Sequence, residues 1–146
     1  MMRAFGPIDW PAKDIFRCIC YAPLRKEWDV NNDVMMHTKK IGANAYITYS
    51  KTIKKFVISA RDFVVNYIIN EEADGSILFC ASSDNCQHDI AENSGVVRAY
   101  TALSGYIIKP DPNDPNKSFI SMCNEIDLKG GIPEFAMRQV LKDTGY

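Results

Sequence analysis

The stretch Ile126-Asp127-Leu128-Lys129-Gly130-Gly131-Ile132-Pro133 separates two kinds of sequence pattern. Before it, Lys117–Asp127 is predicted to be a strand. Two adjacent glycines break that strand, and a proline then suits the first turn of a helix predicted over Pro133–Asp143, with Gly145 near its C-cap. The apolar residues on one broad side of this helix are Ile132, Phe135, Ala136, Val140 and Leu141.

The residues upstream of this junction predict an antiparallel sheet. Ala45-Tyr46-Ile47-Thr48-Tyr49 is rich in β-branched and aromatic residues, which favour strands. The other predicted strands begin near Val30 and cover Phe56–Asn70, Ser76–Ser82 and Val96–Lys109. Turn signals separate the strands at Gly42-Ala43-Asn44, Ala73-Asp74-Gly75 and Pro110-Asp111-Pro112-Asn113-Asp114-Pro115.

Two helices are predicted before the sheet. The first begins near Pro11, which suits a first helical turn, and Asp9 or a neighbour is its expected cap. Pro23 is predicted to end this helix, and a short helical turn follows over Leu24–Trp28. The residues on the apolar face of the first helix are Ile15, Phe16, Ile19 and Cys20.

The order of these elements predicts the fold class. Two helices, an antiparallel meander and a last helix indicate one α+β domain over residues 1–146. A sheet that curls around a terminal helix leaves a space lined by apolar side chains. Such a space is a common position for a small-molecule site.

Composition excludes several classes of protein. The chain has 146 residues, of which 47% are hydrophobic, as expected for one globular domain. Its 17 basic and 18 acidic side chains give a net charge of −1, without the basic excess typical of a nucleic-acid partner. No apolar run approaches the length of a membrane span.

The cysteines indicate a compartment. There are five, an odd number, and none forms a C-x-x-C pair, so free thiols in a reducing environment are expected. Residues 1–10 lack the apolar core of a signal peptide. We therefore predict a cytoplasmic location.

Four segments match short sequence motifs and together indicate a protein family. Arg25-Lys26-Glu27-Trp28-Asp29 is similar to an R-x-x-W-D segment, and Ile58-Ser59-Ala60-Arg61-Asp62-Phe63-Val64 to S-x-R-D-F-V. Ser94-Gly95-Val96-Val97-Arg98-Ala99 is similar to G-V-V-R-A, and the junction quoted above to D-x-K-G-x-I-P. In this order and spacing the four motifs resemble the START family of lipid-binding domains.

The resemblance implies a helix-grip fold, in which a curved antiparallel sheet grips a C-terminal helix around an apolar cavity. It also implies a non-catalytic carrier of a single lipid, without cofactor or metal. The implied partners are the lipid ligand and a transiently contacted membrane. The chain departs from the family in its short front, with few residues before Ile8, and in its short last helix. The reduced sheet edge favours pairing with a partner protein or a second copy as a homodimer.

A third departure concerns the ligand. Tyr67 and Ser50 occupy positions at which many family members place an Arg and a Glu. The buried ion pair of those members is therefore missing, which favours a phospholipid slightly over a sterol. Tyr and Ser hydroxyls can nevertheless bond a sterol hydroxyl.

Arg25 and Asp29 admit two interpretations. Because they are four residues apart in a short helix, they can form a surface ion pair of small energy. Alternatively, Arg25 points into the cavity toward a lipid phosphate, which a guanidinium binds bidentately, and Asp29 orients it. The resemblance to phospholipid carriers implies the second role. Trp28 is predicted to anchor the core.

The other predicted ligand contacts are Tyr49, Phe63, Tyr67, Arg98 and Phe135. The first two would supply faces of an aromatic cage for a quaternary ammonium group, but the third cage position is Ala102, so the cage is incomplete. Arg61 is predicted to form a structural pair with Asp62. Arg98 lies on a strand and is predicted to face the cavity.

One loop contains residue types that bind metals, namely Asp84, Cys86, His88 and Asp89. Zinc needs about four ligands in a closed tetrahedral arrangement, so a polar loop is the favoured interpretation. A nucleophile–base pair of Cys86 and His88 lacks an orienting group. We predict no catalytic or metal-binding residue. The alternatives are a ligand-sensing or protein-interaction module and, least favoured, an enzyme on a related helix-grip scaffold.

Overall fold

The computed structural model describes residues 1–55 and 57–143, in which strands outnumber helices. In chain order the elements are β1 (Met2–Ile8), α1 (Ala12–Cys20), α2 (Ala22–Trp28), β2 (Asn32–Lys40), β3 (Ala45–Thr52), β4 (Arg61–Glu71), β5 (Ile77–Ser82), a 3-10 turn (Gln87–Asp89), β6 (Val97–Arg98), β7 (Tyr100–Pro110), β8 (Ser118–Asp127) and α3 (Glu134–Asp143).

The strands form one sheet in the order β1-β8-β7-β5-β4-β3-β2, and each neighbouring pair along this path is antiparallel. The short strand β6 pairs with β4 in the parallel direction, off this path. The predicted α+β class and the antiparallel meander are therefore confirmed. The three predicted turns also lie between strands, and Gly75 has a positive φ of 81° that favours glycine.

The first strand was not predicted. β1 pairs with β8 from Met2 opposite Asn124 to Ile8 opposite Ser118. Exposed and half-buried residues alternate along it, as expected for a strand with one covered face. It contains Pro7, and proline is tolerated there because β1 lies at the edge of the sheet.

Two predicted strands have different limits in the structure. The strand predicted from Phe56 begins at Arg61, after an irregular segment with an isolated bridge between Lys55 and Ile58, and Phe56 itself lies outside the described residues. The strand predicted over Val96–Lys109 is divided into β6 and β7. The division arises because the N–H groups of Val97 and Ala99 donate to the carbonyl oxygens of Ala60 and Asp62, which draws this segment out of the antiparallel path.

The helix ends also differ from the prediction. Pro11 is the N-cap of α1, and no side chain, including that of Asp9, forms a capping hydrogen bond there. Pro23 does not end α1, which already ends at Cys20; it lies in the first turn of α2, where a missing N–H costs nothing. The predicted C-cap at Gly145 and the side chains of Val140 and Leu141 lie outside the described residues.

The sheet has two faces with different coverings. We call the face covered by α1 the inner face, and its buried cluster consists of Ala12, Ile15, Ile19, Cys20, Tyr67, Phe79, Ala81 and Ile108. We call the opposite face the outer face, and its buried cluster consists of Ile47, Tyr49, Val64 and Cys86. Each face collects alternate residues of a strand, so Tyr67 and Val64 of β4 point to opposite sides.

Candidate functional site

A row of four rings crosses the inner face of the sheet. His37 lies 5.6 Å from Tyr67 between ring centroids, Tyr67 lies 4.4 Å from Phe79, and Phe79 stacks on Tyr106 at 5.2 Å. The rings come from β2, β4, β5 and β7, so the row spans most of the sheet. Apolar residues of α1 cover part of it. The result is a large apolar surface in which the Tyr67 hydroxyl and the His37 ring nitrogens are polar atoms.

Arg25 is a charged group close enough to this surface for its charge to act on Cys20 and Tyr67. It lies on α2, and its Nε donates to Asp29 Oδ2 at 3.0 Å while its Nη1 donates to the carbonyl oxygen of Ile19 at 3.3 Å. The Arg25 and Asp29 side chains are only 27% and 16% exposed. The pair is thus half-buried rather than a fully solvated surface pair. Within residues 1–55 and 57–143, the hydrogen bonds of the guanidinium run through Nε and Nη1 and not through Nη2.

Trp28 does not anchor the core, contrary to the prediction. Its side chain is on the surface, with the residue 52% exposed, because α2 buries none of its residues. The indole Nε1 donates to the carbonyl oxygen of Cys18 at 3.0 Å, and the Arg25 guanidinium lies 5.4 Å from the centre of the Trp28 ring. Trp28 therefore helps to hold α2 against α1 and supports Arg25 through a cation–π contact.

Tyr67 presents a polar atom inside the inner face. The residue is 2% exposed, and its hydroxyl has no hydrogen-bond partner within the part of the chain that the structure describes. Burial and the adjacent Cys20 raise the pKa of Tyr67 well above its ordinary value, while the charge of Arg25 acts in the opposite direction. Burial likewise raises the pKa of Cys20 to about 11. Both groups are therefore neutral at physiological pH, and the Tyr67 hydroxyl is a donor.

His37 adds a second polar point to the ring row. Its Nδ1 lies 2.8 Å from the Thr48 hydroxyl oxygen, on the inner face, and its ring also contacts Tyr46 at 5.2 Å between centroids. Burial lowers the pKa of His37, which favours the neutral imidazole. The inner face therefore has neutral polar groups at its centre, while the cation of Arg25 lies toward its margin.

Arg98 does not face a ligand cavity, contrary to the prediction. Its Nε and Nη2 donate to the two carboxylate oxygens of Asp62 at 2.8 and 3.0 Å. Its Nη1 donates to the carbonyl oxygens of Gln87 and Ile90, and its Nη2 also donates to that of Ala91. A guanidinium has five N–H groups, and these five bonds use all of them. Arg98 therefore ties the loop before β6 to the sheet.

Arg61 is also structural, but its partner is not Asp62 as predicted. Its guanidinium donates to the carbonyl oxygens of Ser59, Leu128 and Lys129. The last two lie at the junction between β8 and α3. Lys129 has a φ of 52°, in the left-handed region, and the guanidinium bonds hold this strained corner.

The remaining predicted contacts are not brought together. Tyr49 lies on the outer face, where its hydroxyl accepts a hydrogen bond from Asn93 Nδ2 at 3.2 Å. Phe63 is half-buried on the opposite, inner side of the sheet, so the two rings cannot line one cage. Phe135 on α3 is 61% exposed, and Ala102 is exposed. Of the predicted ligand residues, Arg25, Asp29 and Tyr67 are the ones that the structure associates, with Phe63 on the same face.

The loop with metal-binding residue types has another arrangement. Cys86 is buried, and its thiol points to the carbonyl oxygens of Val64 and Ser82. The carboxylate of Asp84 accepts a hydrogen bond from the Tyr100 hydroxyl. Within residues 1–55 and 57–143, no three His, Cys, Asp or Glu side chains form a group that could hold a metal ion.

An apolar groove on the outer face was missed by the sequence analysis. It has a volume of about 440 Å³ and runs beside β1, with Phe5, Leu78, Leu103, Ile107 and Phe119 on its walls. These side chains are between 37% and 80% exposed. The alternation of apolar and other residues in residues 2–8 was the available signal, but Gly6 and Pro7 weakened it.

Comparison with known proteins agrees with this architecture. A family model described as START domain matches residues 1–145. The relatives include two proteins named Steroidogenic acute regulatory protein, mitochondrial, at 31% identity for Danio rerio and 27% for Homo sapiens. Each alignment covers 120 residues, which are 81% of this chain and 41% of the relative. The chain thus spans about two-fifths of the length of these relatives.

Solved structures show the same fold. Human StAR-related lipid transfer protein 5 superposes with a TM-score of 0.84 at 22% identity, covering 97% of this chain and 68% of that one. A STAR-related lipid transfer protein fragment from Xanthomonas axonopodis gives a TM-score of 0.71 at 17% identity, with coverage of 97% and 77%.

The curved antiparallel sheet, with one ring-lined face covered in part by α1, defines a helix-grip fold. The chain belongs to the START domain family. Membership implies binding and transfer of lipids or sterols, and the homologues are in general lipid-binding transfer proteins rather than enzymes. Among the described residues, no helix combines the length and the apolar character needed to cross a membrane.

Proposed function

We propose that the protein takes up one lipid against the inner face of the sheet and transfers or presents it, without catalysis, and that it prefers a phospholipid to a sterol. The observation that carries the preference is the half-buried Arg25, which in the described part of the chain donates hydrogen bonds through Nε and Nη1 but not through Nη2. A guanidinium in this state can bind a phosphate oxygen, because its orientation is already set and its charge is only partly solvated.

The ring row supplies the apolar part of the site in this proposal. Burial of acyl chains against His37, Tyr67, Phe79 and Tyr106 would contribute roughly 25 cal/mol per Å² of apolar surface removed from water. Two acceptors fix the Arg25 side chain: the Asp29 carboxylate on one side and the Ile19 carbonyl oxygen on the other. The headgroup phosphate would then lie at α2 and the chains along the sheet.

Uptake requires part of the covering layer to move. We propose that α2 is this part, since none of its residues is buried and its described side-chain ties to α1 are the hydrogen bonds of Arg25 and Trp28. The exposed Tyr21 and Trp28 beside it would contact a donor membrane transiently, because aromatic residues favour the membrane–water interface. With its five free cysteines, the protein would work in the reducing cytoplasm.

The test is native mass spectrometry of the protein purified from a lipid-containing extract, followed by lipid extraction. One phospholipid per chain is expected. Arg25→Gln should reduce transfer of phosphatidylcholine between vesicles at least several-fold, whereas the control Arg17→Gln, which removes an exposed charge on α1, should not. A protein that carries no lipid and takes up none on mixing would exclude the proposal.

A sterol is the second ligand class to be tested. The relatives named Steroidogenic acute regulatory protein favour it, and the neutral donor of Tyr67 suits a hydroxyl oxygen. If a sterol is extracted in place of a phospholipid, and Arg25→Gln leaves its uptake unchanged, the phospholipid preference is wrong and the lipid-binding proposal stands.

A homodimer is the second functional candidate. β1 is an edge strand, so one side of its backbone can pair with the same strand of a second copy. The protein would then act as a sensing or interaction module. Sedimentation equilibrium should give twice the chain mass if this is correct, and a monomer at all concentrations tested would contradict it.

A further inference from the structure

The Tyr67 hydroxyl is the unexplained group of the inner face. It is a buried donor without a hydrogen-bond partner in the described part of the chain, and such groups are rare because each loses its bonds to water. The rest of the side chain is fixed by ring contacts to His37 and Phe79. The hydroxyl is therefore held in place without a hydrogen bond to the described part of the fold, as expected of a group that bonds to a ligand.

We propose that Tyr67 donates a hydrogen bond to an ester carbonyl oxygen of a bound glycerophospholipid, at a deeper position than the phosphate contact of Arg25. This inference rests on the proposed function and names the ligand class of the same site. It makes Tyr67 a specificity-determining residue for the neutral ester region of the lipid.

The depth of the two donors supports this assignment. The Arg25 side chain is 27% exposed, whereas Tyr67 is 2% exposed. They belong to one cluster, because Arg25 bonds to the Ile19 carbonyl and Cys20, the next residue, adjoins Tyr67. A glycerophospholipid has the matching order: a phosphate that keeps some solvent, then ester carbonyls a few bonds away, then acyl chains.

The charge of the two donors supports it as well. The cation of Arg25 faces the part of the ligand that is anionic, and Asp29 beside it limits the excess positive charge. Tyr67 is surrounded by apolar rings and the Cys20 thiol, so a second anionic oxygen there would lose its hydration without a counter-charge. A carbonyl oxygen accepts a hydrogen bond at this depth without that cost.

The fold closes this position to solvent. The Tyr67 hydroxyl oxygen is inaccessible to solvent, and Cys20 at the end of α1 adjoins it. The Cys20 thiol beside the hydroxyl is at best a weak acceptor, so a carbonyl oxygen that reaches the hydroxyl forms a stronger bond than the thiol does. Movement of α2 with the last turn of α1 would open the path.

The experiment compares two lipids and three proteins. The lipids are dioleoyl phosphatidylcholine and its diether analogue, which has the same phosphate and chains but no ester carbonyl. The proteins are the wild type, Tyr67→Phe and Tyr49→Phe. The control Tyr49→Phe removes a hydroxyl from a tyrosine that is also buried, at 8% exposed, but lies on the outer face. Affinities are measured by displacement of a fluorescent phosphatidylcholine.

The wild type should bind the diester about tenfold more tightly than the diether, as expected for one buried hydrogen bond. Tyr67→Phe should weaken binding of the diester by the same factor and leave the diether unchanged, which a merely structural role would not do. Tyr49→Phe should not alter the preference between the two lipids. The melting temperature of Tyr67→Phe without lipid should fall little, because the lost hydroxyl has only the weakly accepting Cys20 thiol beside it and no hydrogen-bond partner in the described part of the chain.

Two results would overturn the inference. One is that Tyr67→Phe changes the affinities for the diester and the diether by the same factor, or changes neither affinity. The other is a loss of cholesterol binding in Tyr67→Phe with undiminished diester binding. A wild type that binds neither phosphatidylcholine would instead reject the proposed phospholipid function, so the two failures are distinguishable.

Discussion

Arg98 and Asp62 are register partners on two parallel strands, and their side chains form a two-point ion pair at 2.8 and 3.0 Å. Both are buried, with side-chain exposures of 7% and 1%. The pair therefore joins β6 to β4 twice, once through the backbone and once through the side chains. The loop that precedes β6 is fixed by the remaining bonds of the same guanidinium.

Asp62→Asn should destabilise the protein strongly. The substitution leaves the buried Arg98 cation without a counter-charge, which costs about 3–5 kcal/mol of unfolding free energy in comparable buried pairs. Urea denaturation followed by circular dichroism would measure it. Asp33→Asn is the control, because it breaks the more exposed pair with Lys51 and should cost under about 1 kcal/mol. Equal losses for the two variants would contradict the structural role of Arg98.

Gly105→Ala should also be destabilising, for a steric reason. A Cβ at this position would lie 2.9 Å from the carbonyl oxygen of Phe79, a backbone atom of the paired strand β5. Relief requires a shift of β7 against β5 and should cost about 1–3 kcal/mol. Gly6→Ala is the matched control, since nothing lies within 4 Å of its added Cβ. The thermal midpoints of the two variants, measured side by side, should differ by several degrees.

Cys20 should make stability depend on alkaline pH. Burial raises its pKa from 9.0 to about 11, so the folded protein favours the neutral thiol more than the unfolded chain does. The stabilisation is fully present below pH 9 and is lost as pH rises through 11. The unfolding free energy should fall by about 2 kcal/mol over this window, since one pKa unit corresponds to 1.36 kcal/mol.

The measurement for Cys20 is urea denaturation at a series of pH values between 8 and 11. Cys20→Ala should lower stability at pH 8 because it leaves a small cavity, and its curve should be flatter than that of the wild type. Identical pH slopes for the two proteins would show that the thiol does not titrate in this way. Because Cys20 also raises the pKa of Tyr67, the same comparison is made in the Tyr67→Phe background, where only the thiol can differ.

The sequence was sufficient to predict those parts of the fold that depend on local signals. The glycines and proline after β8 predicted the change from strand to helix, and the Ala73-Asp74-Gly75 turn lies where expected because only a positive φ closes it. β1 was missed because its pairing with β8 joins residues more than 100 positions apart. A local pattern that includes Gly6 and Pro7 does not reveal such a partner.

The candidate site was predictable only in part. Arg25, Asp29 and Tyr67 were named from the sequence, and the structure associates them. Arg98 was misassigned because three of its acceptors are backbone carbonyl oxygens of the preceding loop. Every residue has a backbone carbonyl, so the amino-acid sequence does not indicate which of them accept a hydrogen bond. Tyr49 was misassigned because the face to which a strand residue points depends on register, which only the pairing with β4 fixes.

The two bonds that hold α2 have a further consequence. Trp28 and Arg25 donate to the carbonyl oxygens of Cys18 and Ile19, which are among the last four carbonyls of α1 and have no partner within that helix. Helix α2 therefore serves as the C-terminal cap of α1, and the cation of Arg25 also opposes the negative end of its dipole. When α2 moves for lipid uptake, both bonds are lost together, and we expect the last turn of α1 to fray at Cys20 and uncover the buried tyrosine behind it.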